Sequence, residues 1–129
     1  MERLEGHVRL TGNFKKDVTM LMEVQKLCHA LGGAKATFCK SGKDRTAMVI
    51  TMEQSRILGD RFNAGTGNER LIKDAAIMRE HGPRLQVCLK NIGKPVYSIN
   101  KFQTTFLPEQ LRPPPSTMEG INLFKSDNT

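Results

Sequence analysis

Apolar residues recur at helical spacing along most of this chain and strictly alternate almost nowhere. Between Lys16 and Leu31, the residues Leu21, Val24, Cys28 and Leu31 fall at i, i+3, i+7 and i+10, and Gly32-Gly33 follows. That spacing predicts a helix closed by glycine. After Arg45 the run TAMVITMEQSRIL contains no Gly or Pro and sets Met48, Met52, Ser55 and Gly59 along one side, which predicts a second helix. Residues 59–68 are rich in turn formers and read as a loop, with Asn68 as N-cap of a third helix from Glu69 to His81. Gly82-Pro83 separates it from a fourth, carrying Leu85, Cys88, Leu89 and Ile92 inward until Gly93-Lys94-Pro95 breaks it. From Tyr97 onward, Ile99, Phe102 and Phe106 repeat at helical spacing as far as Pro108.

The exception is Ala36-Thr37-Phe38, which combines β-branched and aromatic residues and predicts a short buried strand leading into CKSGKDRT. Beyond Arg112-Pro113-Pro114-Pro115 the chain turns Pro, Ser and Asn rich, so residues 1–111 read as the domain and 112–129 as an irregular tail.

Composition narrows the function. A chain of 129 residues holds at most one domain. No apolar run approaches a membrane span, and the first twenty residues lack the apolar stretch of a signal peptide, so a cytoplasmic protein is expected. A net charge of +7 calls for anionic partners. Six Phe, one Tyr and no Trp leave little for base stacking, which argues against nucleic acid. Cys28, Cys39 and Cys88 form no C-x-x-C pair and no zinc spacing with His7, His29 or His81. Reduced thiols, with no metal and no cofactor, are the expectation.

The chemistry concentrates in Cys39-Lys40-Ser41-Gly42-Lys43-Asp44-Arg45-Thr46, set between the predicted strand and the second helix. Gly42 permits a tight turn, a helix N-terminus offers unpaired N–H groups, and Arg45 supplies a planar fork for phosphate oxygens. The helix terminus and the cations Lys40, Lys43 and Arg45 should depress the Cys39 pKa and favour the nucleophilic thiolate. The same loop would seat a phosphate above the sulfur, which permits in-line attack on phosphorus and a phosphocysteine intermediate. A Walker loop is excluded because Asp44 follows Gly42-Lys43 and Thr37 stands where the earlier Gly belongs. Gly65-x-Gly67 is no dinucleotide fingerprint, since Arg70 replaces the third Gly.

CKSGKDRT and the helix after it resemble the active-site loop of the inositol polyphosphate 4-phosphatases and of related bacterial effector phosphoinositide phosphatases. The likeness continues through LKNIGKPVYSIN and FLPEQLRPPPST, covers roughly Leu21 to Thr129, and favours the eukaryotic 4-phosphatases. Members of that family are much longer, with an N-terminal C2 domain and a large middle region, so the chain resembles their C-terminal end.

The resemblance implies an α/β Cys-based phosphatase fold of the protein-tyrosine-phosphatase type, incomplete and mostly helical in this portion. It implies hydrolysis of the 4-phosphate of phosphatidylinositol 3,4-bisphosphate or related inositol phosphates, at peripheral contact with anionic membranes. In family terms Cys39 is the nucleophile, Arg45 the phosphate clamp and Thr46 a hydroxyl near the sulfur. Lys40 and Lys43 resemble the paired lysines of phosphoinositide-directed loops, with Ser41 and Gly42 completing the phosphate seat. Asp44 resembles the Asp before the Arg in myotubularin and Sac-type loops and is the candidate general acid.

Blander readings stand beside these. Asp44 serves as a helix-terminus partner, Lys40 and Lys43 as solvated charges, and Arg84, Lys90, Lys94 and Lys101 as plain surface rather than a membrane patch. The rival functions are a phosphatase acting on phosphoproteins and an inert fragment that binds anionic headgroups. A single strand without neighbours further predicts that the chain alone is poorly folded and inert.

Overall fold

Two consecutive glycines stop the first helix, α1, which spans Thr19–Ala30 in a computed structural model describing residues 19–65 and 67–119. The N–H groups of Gly32 and Gly33 return to the carbonyls of His29 and Cys28 at 3.0 and 2.9 Å, satisfying acceptors that a helix end leaves open. The chain divides into two units, Met1–Ala36 and Thr37–Thr129, and α1 belongs to the first. Its covered face is not the expected stripe. Gln25 is buried, while Leu21 and Leu31 are 40% and 75% exposed. The predicted start at Lys16 lies outside the described residues.

The second unit is built on α2, Asp44–Phe62, and α3, Asn68–His81, which pack against each other. Met48, Met52, Ser55 and Gly59 all lie on the buried side of α2. Gly59 is needed for close approach, because a Cβ there would come within 2.6 Å of both the Arg70 guanidinium and the Gly65 carbonyl oxygen. Through that gap Arg70 Nη2 donates to the Ser55 carbonyl at 2.8 Å, and Ser55 Oγ donates to the Leu71 carbonyl at 3.1 Å. Asn68 opens α3 without capping it; its side-chain oxygen accepts from Gln110 Nε2.

Helix α4, Pro83–Ile92, packs on α3 and buries Cys88 fully. Leu89 and Ile92, expected inside, are 41% and 40% exposed. The next predicted helix is cut short. Asn100 accepts from the Gln103 N–H and Gln103 Oε1 accepts from the Asn100 N–H, a capping box that starts α5 only at Lys101 and confines it to Lys101–Thr105. Tyr97 therefore precedes the helix and pairs with Met118 in an isolated parallel bridge. Phe102 and Phe106, on the expected inner stripe, are outside.

The segment after α5 is packed through Met118. Single 3-10 turns at Glu109–Leu111 and Pro115–Thr117 lie on α3, and Leu111, Thr117 and Met118 are buried. Arg79 of α3 ties this strap down: it is 1% exposed, and its guanidinium donates to Thr51 Oγ1 and to the carbonyls of Met48, Gln110 and Arg112. Tyr97 OH in turn donates to the Arg79 carbonyl at 2.9 Å. Residues 120–129 of the expected tail lie outside the described residues.

The predicted strand at Ala36–Phe38 is not formed, and the Tyr97–Met118 bridge is the only β-pairing among the described residues. A strand needs a neighbour to take its N–H and C=O groups, and no described segment lies alongside this one. Phe38, expected in a buried strand, is 85% exposed. The described residues are mostly helical.

Candidate active site

Cys39 ends the extended approach to α2, and the chain turns at once. The Gly42 N–H closes on the Cys39 carbonyl oxygen at 3.1 Å with φ of +66° at Gly42, a region side chains rarely enter. A Cβ there would meet no neighbouring atom, so the glycine answers to backbone conformation and not to space. Lys43 precedes the first helical residue and offers no side-chain cap, which leaves first-turn N–H groups for another acceptor.

The Cys39 sulfur draws on one of them, the Thr46 N–H. Burial pushes its pKa up, but hydrogen bonds from the Thr46 hydroxyl and from the backbone N–H groups of Thr46, Ser41 and Gly42 outweigh this and bring it from the ordinary 9.0 to about 6. Thr46 Oγ1 is buried and no hydrogen bond of full geometry satisfies it, so this hydroxyl is a donor held in reserve beside the sulfur. The expectation that Lys40, Lys43 and Arg45 would ionise the thiol thus gives way to one in which directed hydrogen bonds do so.

Alkylation of Cys39 by iodoacetamide is expected to reach half its plateau near pH 6, and at higher pH in Thr46→Val. A midpoint left near the ordinary 9.0, read by peptide mass spectrometry, would refute this account. Because the folded pKa is depressed, the thiolate's contribution to stability is complete above about pH 9 and is lost as the pH falls through about 6. Cys88 should stay unreactive in the folded protein. Burial raises its pKa, nearby Asp44 raises it further and Lys43 opposes them.

The loop's cations divide into two kinds. Lys43, expected beside the substrate, is buried: its Nζ donates to Asp44 Oδ2 at 2.6 Å and to Ser98 Oγ at 2.8 Å, with a side chain only 8% exposed. Lys40 and Arg45 are exposed and bond no described residue, so they are the cations open to an anion above the sulfur. Ser41 is also exposed, at the rim.

Asp44 accepts on both oxygens, Oδ2 from Lys43 and Oδ1 from the Ser98 N–H at 2.9 Å. Through these two bonds its carboxyl fastens the loop to the Tyr97–Ser98 segment. Ser98 escaped sequence reading because its partners lie 54 and 55 positions away and nothing local singles it out. Among the described residues no group of three or more His, Cys, Asp or Glu is placed to hold a metal ion, and no helix is long and apolar enough to cross a membrane.

Known proteins resemble most of this chain. The family model described as INPP4A C-terminal domain matches residues 3–111. Type II inositol 3,4-bisphosphate 4-phosphatase of Rattus norvegicus is 34% identical over 111 residues, 86% of this chain and 12% of the rat protein. Inositol polyphosphate 4-phosphatase type II of Homo sapiens is 36% identical over 103 residues, 80% of this chain and 11% of the human protein. The chain thus spans about an eighth of these relatives' length at most. Phosphatidylinositol 3,4,5-trisphosphate-dependent Rac exchanger 1 protein of Mus musculus is 31% identical over 67 residues, 52% of this chain and 4% of that protein. No solved structure matches.

Proposed function

This chain belongs to the family of the INPP4A C-terminal domain and of the inositol polyphosphate 4-phosphatases, and from that premise we propose that it carries the nucleophilic loop of a phosphoinositide phosphatase. The reaction is removal of the 4-phosphate from phosphatidylinositol 3,4-bisphosphate and related inositol phosphates, in the cytoplasm at a membrane surface. One arrangement carries the reading: Cys39 lies at the start of a helix, the N–H groups of Ser41, Gly42 and Thr46 draw its pKa down to about 6, and Arg45 is exposed and bonds no described residue.

The Cys39 thiolate attacks phosphorus, an S–P bond forms, and the P–O bond to the inositol ring breaks. Loop N–H groups, Arg45 and Lys40 meet the charge on the equatorial oxygens, in the manner of an oxyanion hole. Water then cleaves the S–P bond, releasing phosphate and restoring the thiolate. The leaving inositol oxygen takes its proton from an acid outside this loop, since both Asp44 oxygens are engaged. Asp44 and Lys43 are positioning residues in this proposal.

The protein-tyrosine-phosphatase type of α/β fold is the finer part of the proposal. The Ala36–Phe38 approach, with Phe38 85% exposed, is the segment that the strands of such a fold would pair and cover. A second reading, a headgroup binder without turnover, is favoured by the match to a Rac exchanger, a protein whose name carries no phosphatase.

A substrate panel separates the readings. Malachite-green phosphate release is compared for inositol 3,4-bisphosphate, short-chain phosphatidylinositol 3,4-bisphosphate and a phosphotyrosine peptide. The full chain is assayed alone and in place of the matching segment of the human relative. Release is expected from the two inositol substrates and from the 4-position. Binding of both inositol ligands without release in either context would establish the second reading, and preference for the peptide would overturn the substrate class.

A further inference from the structure

Phe102 and Phe106 lie one helical turn apart, edge to face, with ring centroids 5.1 Å apart, and are 73% and 70% exposed. They account for two of the six Phe in the chain. Nothing described covers them. Between Glu80 and Glu109 the sequence holds no carboxylate, while Arg84, Lys90, Lys94 and Lys101 are all present; of these Lys94 lies 3.7 Å from Glu119 Oε1. Lys101, Phe102 and Phe106 are exposed together, and α5 buries no residue of its own.

This segment is tethered to the reactive loop. Ser98 holds Lys43 through its hydroxyl and Asp44 through its N–H. Phe102 is four residues further on, at most about 14 Å of extended chain from Ser98.

We propose that the Phe102–Phe106 pair, with Lys101 beside it, is an interfacial anchor that seats the Cys39 loop against an anionic lipid bilayer. The inference rests on the phosphoinositide reading above, in which the substrate is itself a lipid. Aromatic rings beside lysines suit the headgroup level of a membrane, where the ring enters the acyl boundary and the ammonium stays among phosphates. A protein partner fits less well, because lysine is depleted from the core of protein interfaces and Lys101 adjoins the pair directly. The tether gives the anchor its use: docking α5 would hold the cradle at the height of the headgroup phosphates.

The test is sedimentation of the full chain with phosphatidylcholine vesicles containing phosphatidylserine and no phosphoinositide, so that the Cys39 loop has no substrate to bind. The unaltered chain is expected to sediment with these vesicles and to release them as ionic strength rises. The double variant Phe102→Ala/Phe106→Ala should lose roughly ten-fold or more in affinity, and Lys101→Gln should add salt-sensitive loss. Unchanged vesicle binding in the double variant, or no binding by the unaltered chain, would overturn the anchor. So would a Phe-dependent change in mass on analytical ultracentrifugation without lipid, which would assign the pair to a second copy. Release of phosphate from soluble inositol 3,4-bisphosphate, assayed in the human-relative background, reads the phosphatase proposal separately. If the double variant keeps that activity and loses vesicles, both proposals stand. If soluble turnover is absent while Phe-dependent vesicle binding remains, only the phosphatase reading falls.

Discussion

Cys39→Ser is expected to abolish phosphate release, by roughly 10⁴- to 10⁶-fold as for other lost nucleophiles, while leaving headgroup binding within a few-fold of the parent. The size follows from ionisation. With a pKa of about 6 the thiol is overwhelmingly thiolate at neutral pH, whereas a serine hydroxyl in the same place remains protonated and has no base among its contacts to change that. Binding survives because the N–H groups of Ser41, Gly42 and Thr46 belong to the backbone, and because Lys40 and Arg45 are untouched. Arg45→Ala should behave differently. It removes an exposed fork that bonds no described residue, so affinity and turnover fall together, the latter by about 10²- to 10³-fold. Isothermal titration with inositol 3,4-bisphosphate and phosphate release, measured on the chain in place of the human relative's matching segment, resolve both. Turnover persisting in Cys39→Ser would exclude a phosphocysteine mechanism.

Part of what depends on neighbours in sequence is legible in the sequence, although the stripes of α1 and α4 are not, with Leu21, Leu31, Leu89 and Ile92 exposed. The buried side of α2 could be read from Met48, Met52, Ser55 and Gly59, and the α3–α4 junction from Gly82-Pro83, because periodicity and proline act locally. The cradle's composition was legible for the same reason: Cys39, Gly42 and Thr46 lie within one turn of chain. The direction of each charge was not. Lys43 and Lys40 look equivalent in the sequence, yet Lys43 is drawn under the loop by Ser98, 55 positions away, while Lys40 stays in solvent. Tyr97, Ile99, Phe102 and Phe106 satisfy a helical period, but the capping box at Asn100 and the pairing of Tyr97 with Met118 divide them between two environments. Ala36–Phe38 has the composition of a strand. Composition cannot supply the partner whose backbone would make it one.

Arg79→Leu should cost about 2–6 kcal/mol of unfolding free energy, a large part of the roughly 5–15 kcal/mol available to a domain. Arg79 lies in the charge-rich helix NERLIKDAAIMREH, and it is 1% exposed. Burial draws its pKa down to about 10, which still leaves it charged at neutral pH. No carboxylate is among its hydrogen-bond partners. The charge is instead met by the Thr51 hydroxyl and three carbonyls, those of Met48, Gln110 and Arg112. Two of these belong to the strap after α5, so the guanidinium fastens that strap to α2 and α3. Leucine would fill the space but leave the Gln110 and Arg112 carbonyls without this donor, each at about 1–3 kcal/mol if no water replaces it. Arg79→Lys keeps the charge and loses the fork, so an intermediate loss is expected. Urea unfolding gives the free energies, and native-state hydrogen exchange at Tyr97, whose N–H donates to the Thr117 carbonyl at 2.8 Å, reports whether the strap opens first. A leucine variant within 1 kcal/mol of the parent, with Tyr97 still protected, would show that the strap is held by Leu111 and Met118 packing and not by the buried cation.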